Sequence, residues 1–247
     1  MMKQIRRRLA RPFRNRARAA QARGLWADAL SNLKKAAALD TANPAILLQL
    51  ANTQAELAQF DQAEATFRFA SHFPLFAIRA AVGLAGVAER REDWATASQR
   101  WEVVLQLMAQ KENTPGDDLS VTPAYALMHS ALCREKIGDG TGANRDLGLA
   151  LALGAKVRHL PEAILMRARI LGGADPHAAR RLLRAAVERH PKNRTIRFEL
   201  MVATLRAGDR IAATRHAQIL LDLSPGDSGV LAVAREHSLV LGPEIVG

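Results

Sequence analysis

Residues that could carry out catalysis or bind a metal are sparse in this 247-residue sequence. It contains one cysteine, Cys133, which excludes an internal disulfide framework and is typical of a small buried hydrophobe. Its seven histidines show no HExxH or similar spacing of metal ligands, and no pair of carboxylates stands out as a general acid and base. We therefore predict a protein that is not an enzyme and that has no metal and no cofactor.

A glycine-rich segment, Gly138-Asp139-Gly140-Thr141-Gly142, has the composition of a phosphate-binding loop. Such a loop follows a strand and opens a helix within a βαβ unit. Here helical sequence patterns lie on both sides and no strand-like run is nearby. We interpret the segment as a turn between two helices.

The strongest chemical signal is a cluster of cations at the amino-terminal end. Residues 1–23 contain nine Lys and Arg and no acid, so removing these nine charges from the formal net charge of +11 leaves +2 for residues 24–247. The predicted basic arm consists of Lys3, Arg6, Arg7, Arg8 and Arg11. The high isoelectric point therefore belongs to this end and not to the body of the protein.

Three interpretations of the basic end stay open. It contacts anionic lipid headgroups or an acidic partner, with Ile5 and Leu9 entering the lipid; it binds nucleic-acid phosphates; or it only aids solubility. Phe13 is the one aromatic residue among these charges, so nucleic acid is the less favoured partner. No apolar run reaches the roughly 18 residues of a transmembrane helix. We expect a cytoplasmic protein, with a peripheral position at the inner membrane face as an open alternative.

A helical pattern occurs three times in the first half of the chain. In Trp94–Leu107 the apolar positions are Ala97, Trp101, Val104 and Leu107, at offsets of three and four residues. The same residue classes recur in 26–39 and 60–73. These offsets place the positions on one helical face, and the small residues among them allow a neighbouring helix to approach closely. The pattern predicts an array of packed helices.

The alanine of this pattern recurs through the whole chain, at intervals of 34, 34, 46, 36 and 34 residues. We call these residues the key alanines: Ala29, Ala63, Ala97, Ala143, Ala179 and Ala213. A 34-residue helix–turn–helix period is that of the tetratricopeptide repeat. The chain resembles this family, and bacterial scaffold proteins within it, also in the small residues of the preceding helices and in its turn glycines, at Ala17, Ala51, Ala85, Ala131, Gly24 and Gly138.

The resemblance implies an all-α fold, a right-handed superhelical solenoid of about six tetratricopeptide-like hairpins with a C-terminal capping helix. We predict a basic tail at 1–9, an array at 10–227 and a capping helix and tail at 228–247. The hairpins lie near 10–43, 44–77, 78–110, 122–157, 160–193 and 194–227. Residues 111–121 form an insertion whose Asn, Pro, Gly and Asp content is typical of a loop.

Local signals add detail to this prediction. Pro12 suits the first turn of a helix, so we expect the first helix to begin there and to end at Gly24. Gly140 and Pro176 occupy the aromatic position of hairpins four and five, which should pack less regularly. Trp26, Trp94 and Trp101 fall on packing faces and are predicted to lie in the core. The last helix is expected over 228–241, with Val230, Val233, Ala234 and Val240 covering the final hairpin.

In the tetratricopeptide family, the first helix of each hairpin lines a concave groove that usually holds a peptide. The resemblance carries this role to a set of candidate groove residues: Arg14, Arg18, Leu48, Asn52, Glu56, Arg79, Val82, Arg90, Tyr125, Met128, Leu132, Lys136, Phe198 and Arg206. Apolar members would supply affinity, and the arginines would orient acidic groups of the partner. The chaperone-tail clamp of this family is not expected, because Leu48 replaces its cation. As an alternative, these residues pack against neighbouring helices in a tighter superhelix.

The predicted function is a non-catalytic scaffold or adaptor that binds a protein or peptide partner in its groove, with no small-molecule substrate. Two alternatives stay open. The run from Asp93 to Leu105 resembles repeats that accompany bacterial glycosyltransferases and surface-polysaccharide assembly, which implies an accessory subunit at the cytoplasmic membrane face. A nucleic-acid-associated protein that binds through its basic arm is the other.

Overall fold

The computed structural model describes residues 2–111, 121–154 and 156–241, and every regular element in these ranges is helical. The chain divides into two compact units, Met1–Asp146 (unit 1) and Leu147–Gly247 (unit 2). The predicted all-α fold is confirmed. No helix in the described ranges is long and apolar enough to cross a membrane.

Unit 1 is a series of helical hairpins in chain order. Its helices are α1 (Met2–Ala22), α2 (Trp26–Leu39), α3 (Pro44–Glu56), α4 (Phe60–Ser71), α5 (Ala77–Arg90), α6 (Trp94–Lys111), α7 (Pro123–Lys136) and the start of α8 (Gly140–Leu153). Consecutive helices pack side by side from α1 to α7, and Ser130 of α7 donates a hydrogen bond to Asp146 of α8 at 2.8 Å. A short 3-10 turn, Pro74–Phe76, leads into α5.

Unit 2 continues the same plan. It contains the end of α8, a 3-10 turn at Val157–His159, and helices α9 (Pro161–Ala174), α10 (Pro176–Arg189), α11 (Arg194–Arg206), α12 (Arg210–Leu223) and α13 (Ser228–Glu236). Helices α9 and α10 form one hairpin, α11 and α12 form the next, and α13 packs on α12.

Capping side chains begin many of these helices. Asn43, Thr122, Asp175 and Asn193 each accept a hydrogen bond from a backbone N–H in the first turn of the helix that follows, which satisfies a donor that has no partner within that helix. Five hairpin turns contain a residue in the left-handed conformation, at Gly24, Ala58, Glu92, Gly138 and Gly208. The turn geometry is thus the same whether or not glycine supplies it.

The key alanines lie where two helices cross. All six are at most 1% exposed, and so are the apolar residues four positions further on in the first three copies, Leu33, Phe67 and Trp101. Trp26 and Trp94 are half-buried. The predicted spacing therefore marks the core of each hairpin.

The ends of the array differ from the prediction. Helix α1 begins at Met2 and contains Pro12, so residues 2–9 are helical and do not form a separate tail. Ala10 explains the continuity, because it is 1% exposed and packs in the core with Leu33 and Ile46. Residues 112–120 of the predicted insertion lie outside the described residues.

The capping helix is shorter than predicted. It ends at Glu236, and its Val230 and Ala234 are buried against the preceding hairpin. Val240 was expected to take part in this cover, but it is 85% exposed. The cap is therefore made by this buried pair together with partly buried residues that pack against the same core but do not include Val240: Leu231, Val233, Leu239 and Leu241.

Two glycines in the middle of α5 give a matched test of this packing. A methyl group added at Gly83 would meet the ring of Phe67 at 2.3 Å, whereas one added at Gly86 would meet nothing within 4 Å. Gly83→Ala should lower the free energy of unfolding by about 1–3 kcal/mol, because the buried ring must move. Gly86→Ala should raise it by up to about 1 kcal/mol through helix propensity. Urea denaturation of both variants checks this, and equal stabilisation of the two would contradict the packing.

Candidate functional site

Four predicted groove residues of unit 1 line one cavity. Leu48 and Asn52 come from α3, Arg79 and Val82 come from α5, and the cavity between them holds about 200 Å³. Ile78, Gly83 and Val121 complete its lining. We call the surface formed by the first helices of the hairpins in unit 1 the first-helix face. The cavity opens on this face.

The shape of the cavity follows from the residues around it. Gly83 lies directly over the ring of Phe67, so α5 packs closely on α4 at this point. Leu48 and Ile78 are buried and make an apolar floor, whereas Asn52 and Arg79 are exposed at the rim. The guanidinium carbon of Arg79 lies 5.9 Å from the centroid of the Phe76 ring, a cation–π distance that helps to hold the side chain in place.

A row of arginines lies on α1. Arg7, Arg11, Arg14 and Arg18 are spaced by four, three and four residues and so share one side of the helix. Together with Arg8 and Asn15 they surround an open depression of about 390 Å³. We call these six residues the arginine row.

The arginine row carries net positive charge. None of its cations is within ion-pair distance of a carboxylate in the described parts of the chain, and Arg14 Nε is buried there without a hydrogen-bond partner. Arg14 and Arg18 precede Leu48 and Asn52 by 34 residues, one repeat, so they occupy the same repeat positions on the first-helix face. The side chain of Lys3 lies outside the described residues, and Arg6 is exposed.

One predicted contact residue already has a partner within the chain. Arg90 Nη2 donates a hydrogen bond to Glu56 Oε1 at 2.5 Å. These two residues are one repeat apart, so the pair links α3 to α5. Both are partly exposed, and such pairs typically contribute about 0–1 kcal/mol. Arg90 is therefore neutralised by Glu56 and is not an unpaired cation for a ligand.

The remaining groove candidates are placed in different ways. Met128 is 3% exposed, so it lies beneath the surface, and Leu132 is half-buried. Lys136 Nζ lies 5.7 Å from the Trp94 ring centroid. Phe198 and Arg206 belong to unit 2, where Phe198 packs against the core that α13 covers. Met128 and Phe198 therefore pack against neighbouring helices, which is the alternative given for the groove candidates in the sequence analysis.

A partly buried polar cluster centres on Glu89, which the sequence pattern did not indicate. Glu89 Oε1 accepts a hydrogen bond from Trp101 Nε1 at 2.6 Å and lies 2.8 Å from His129 Nδ1. The His129 ring stacks on Trp101, with centroids 4.8 Å apart, and packs against Tyr125 at 4.3 Å. Cys133 Sγ lies 3.5 Å from the same carboxylate oxygen. In the described residues, no three His, Cys, Asp or Glu side chains come together as metal ligands.

Comparisons with known proteins agree with this architecture. A sequence model of the tetratricopeptide repeat matches residues 20–68. The matched segment thus has the sequence of a tetratricopeptide repeat. No curated protein matches its sequence.

Several solved structures share the fold of this chain. PilF of Pseudomonas aeruginosa is 17% identical, with 94% of this chain and 99% of that chain covered and a TM-score of 0.73. PilW, described as a widely conserved type IV pilus biogenesis factor, is 18% identical, with coverages of 94% and 98% and a TM-score of 0.72. YrrB, described as having an unusual peptide-binding site, is 16% identical, with coverages of 82% and 97% and a TM-score of 0.58. Tetratricopeptide repeats are typically non-catalytic modules for protein–protein interaction.

The Glu89 cluster leads to a prediction about the reactivity of Cys133. Burial raises the pKa of the thiol well above its ordinary value, and the negative charge of Glu89 raises it further. Because the thiolate is the reactive form, Cys133 should react with a disulfide reagent at pH 8 at least about 100-fold more slowly in the folded chain than in guanidinium chloride. The chain has no other cysteine to interfere. Similar rates in the two conditions would contradict the burial.

Proposed function

We propose that this protein is a non-catalytic adaptor that holds a segment of a protein partner on the first-helix face of unit 1. The observation that carries the proposal is the cavity lined by Leu48, Asn52, Arg79 and Val82. It has an apolar floor and a polar rim, which is the usual composition of a recognition site. YrrB, which is described as having a peptide-binding site, supports the use of this fold for peptides.

The chemistry of the cavity suggests what the partner segment presents. An apolar side chain in the cavity would contribute about 1.5–3 kcal/mol by burial. The amide of Asn52 can donate to and accept from a peptide backbone, and Arg79 can bind a carboxylate. The arginine row would attract acidic residues of the same partner and speed its encounter. The proposed ligand is thus a segment with an apolar anchor and acidic residues beside it.

The two alternative functions have no comparable support. No observation on the described residues favours a glycosyltransferase accessory subunit or a nucleic-acid-binding arm over this proposal. Ile5 and Leu9 are about half exposed on α1, on the side of the helix away from the arginine row. These two residues are compatible with contact to a membrane, but no second element of the described structure supports that interpretation.

A peptide selection tests the proposal even though the partner is unidentified. A random 12-residue library displayed on phage would be panned on the full chain, and enriched peptides would be measured by fluorescence anisotropy. We expect them to share one apolar residue flanked by Asp or Glu. Val82→Phe, which fills the cavity, and Arg79→Glu, which reverses the rim charge, should each weaken binding by about tenfold or more, equivalent to about 1.4 kcal/mol.

The matched control is Lys35→Glu, an identical charge reversal at an exposed position of α2, a second helix of the same unit. This variant should change the affinity by less than about twofold. Thermal unfolding of all three variants establishes that they are folded. Peptides that bind Val82→Phe and Arg79→Glu as tightly as the unsubstituted chain would place the ligand elsewhere and refute the proposal.

A further inference from the structure

A polar residue lies three positions after the key alanine in every hairpin except the fifth, which has Leu182 there. In the second hairpin this residue is Thr66, whose hydroxyl donates to Gln54 Oε1 at 2.9 Å. In the third it is Arg100, which donates to Glu64 Oε1 at 2.6 Å and to the Leu84 carbonyl at 2.8 Å. In both cases another helix of the chain provides the hydrogen-bond partner.

The fourth hairpin follows the same rule with the charges reversed. Its residue is Asp146, which is 4% exposed and accepts a hydrogen bond from Ser130 at 2.8 Å. Arg134 Nε lies 2.9 Å from the same carboxylate. A buried charge is stable only when it is paired in this way.

The sixth hairpin breaks the rule. Its residue is His216, and His216 Nδ1 is buried with no hydrogen-bond partner in the described residues. Thr204 lies at the repeat position of Gln54 and Arg134 on the facing helix. It is 1% exposed, and its hydroxyl oxygen also lacks a partner there. Buried polar atoms without partners are costly, so two in one place indicate that a partner from outside the chain belongs between them.

Both residues line a cavity of about 380 Å³ between α10, α11 and α12. The residues that each helix contributes are about one helical turn apart, so they lie on one side of that helix. The lining residues are Arg180, Arg184, Leu200, Thr204, Asp209, Ala212, Arg215, His216 and Ile219. Arg180 occupies the repeat position of Glu64. The fifth hairpin therefore has an arginine where the second hairpin has the acid that pairs with Arg100.

The charges around this cavity are not balanced. Arg184 and Arg215 have no carboxylate within ion-pair distance in the described part of the chain. Arg180 Nη1 lies 3.3 Å from Asp209 Oδ2, but Asp209 also caps α12 by accepting from Ala212 N at 3.0 Å. Three guanidinium groups facing one carboxylate leave two positive charges for a ligand.

We propose that this cavity binds a phosphate group, as the free ion or as a phosphomonoester. A phosphate carries close to two negative charges at pH 7 and has oxygens that accept several hydrogen bonds. Arginines recognise it with paired N–H donors, and Thr204 and His216 provide neutral donors at the floor. The volume lies within the range of small-molecule sites, and Leu200 and Ile219 give an ester group an apolar wall.

Calorimetric titration of the full chain tests the proposal, with inorganic phosphate and phenyl phosphate as the two probes at pH 7 and constant ionic strength. We expect saturable binding at one site. Tighter binding of phenyl phosphate would assign the site to an ester, and equal or tighter binding of inorganic phosphate would assign it to the free ion. Arg184→Gln and Arg215→Gln should each weaken binding by about tenfold or more.

The matched control is Arg181→Gln, which removes the same charge from α10 at a side chain that is 72% exposed and does not line the cavity. Its affinity should stay within about twofold of the unsubstituted chain. A second variant, Arg180→Glu with His216→Arg, places the Glu64–Arg100 pair at the equivalent positions of the fifth and sixth hairpins. It should fold with an undiminished melting temperature and bind neither probe.

The histidine gives a readout that a purely structural role would not move. Burial lowers the pKa of His216, and the positive charges of Arg197 and Arg184 lower it further, while Asp209 opposes them. A bound phosphate should raise the pKa of this imidazole in an NMR titration, because an anion favours the charged ring. Absence of saturable binding, an equal loss in Arg181→Gln and Arg215→Gln, or equal binding of acetate would overturn the proposal.

Discussion

The close crossing of two helices at each key alanine is the constraint on which the rest of this structure depends. Ala29, Ala63, Ala97 and Ala213 have no exposed surface, and the other two key alanines have almost none. A larger side chain at any of them would separate the helices and lose the packing of the residues around it. Because the same crossing recurs in each hairpin, side chains at equivalent repeat positions meet equivalent neighbours.

This regularity has a consequence for polar residues. A side chain placed near the crossing is buried by the architecture whether it is polar or not, so its hydrogen bonds must be supplied by a neighbouring helix. Glu64 and Arg100 meet this requirement, and so do Ser130 and Asp146. We propose that binding surfaces arise where the pattern leaves a cavity or a charge without such a neighbour. The first-helix face of unit 1 and the arginine-lined cavity of unit 2 are the two separate cases proposed above.

Much of the fold could be predicted because the repeat period carries it. The spacing of the key alanines determined which residues are buried in each hairpin, and the order of the helices followed from the turns between them. The prediction that the first helix begins at Pro12 was wrong. The local signal for a helix start was outweighed by the burial of Ala10 against the next hairpin. The prediction for Val240 was also wrong, because Leu239 and Leu241 on either side of it pack against the core of the final hairpin and Val240 itself is exposed.

The candidate site was predictable only where position alone decides it. Leu48, Asn52, Arg79 and Val82 come together because repeat register brings adjacent first helices into line. The pairing of Arg90 with Glu56 was missed, although their separation of one repeat could have revealed it. The Glu89 cluster and the cavity of unit 2 depend on rotamers and on which polar atoms find partners. Rotamers and hydrogen-bond partners do not follow the repeat period, so the pattern of a single sequence does not predict them.

A photo-crosslinking measurement tests most directly whether the first-helix face is where this protein meets its partner. A benzophenone amino acid would be introduced at Asn52, on the rim of the cavity, and in a separate chain at Val103, which is 47% exposed on the second helix α6. After irradiation in cells that make the protein, we predict a discrete covalent adduct with one partner protein from position 52 and none from position 103. Adducts from position 103 alone, or the same adducts from both, would contradict a partner site on the first-helix face.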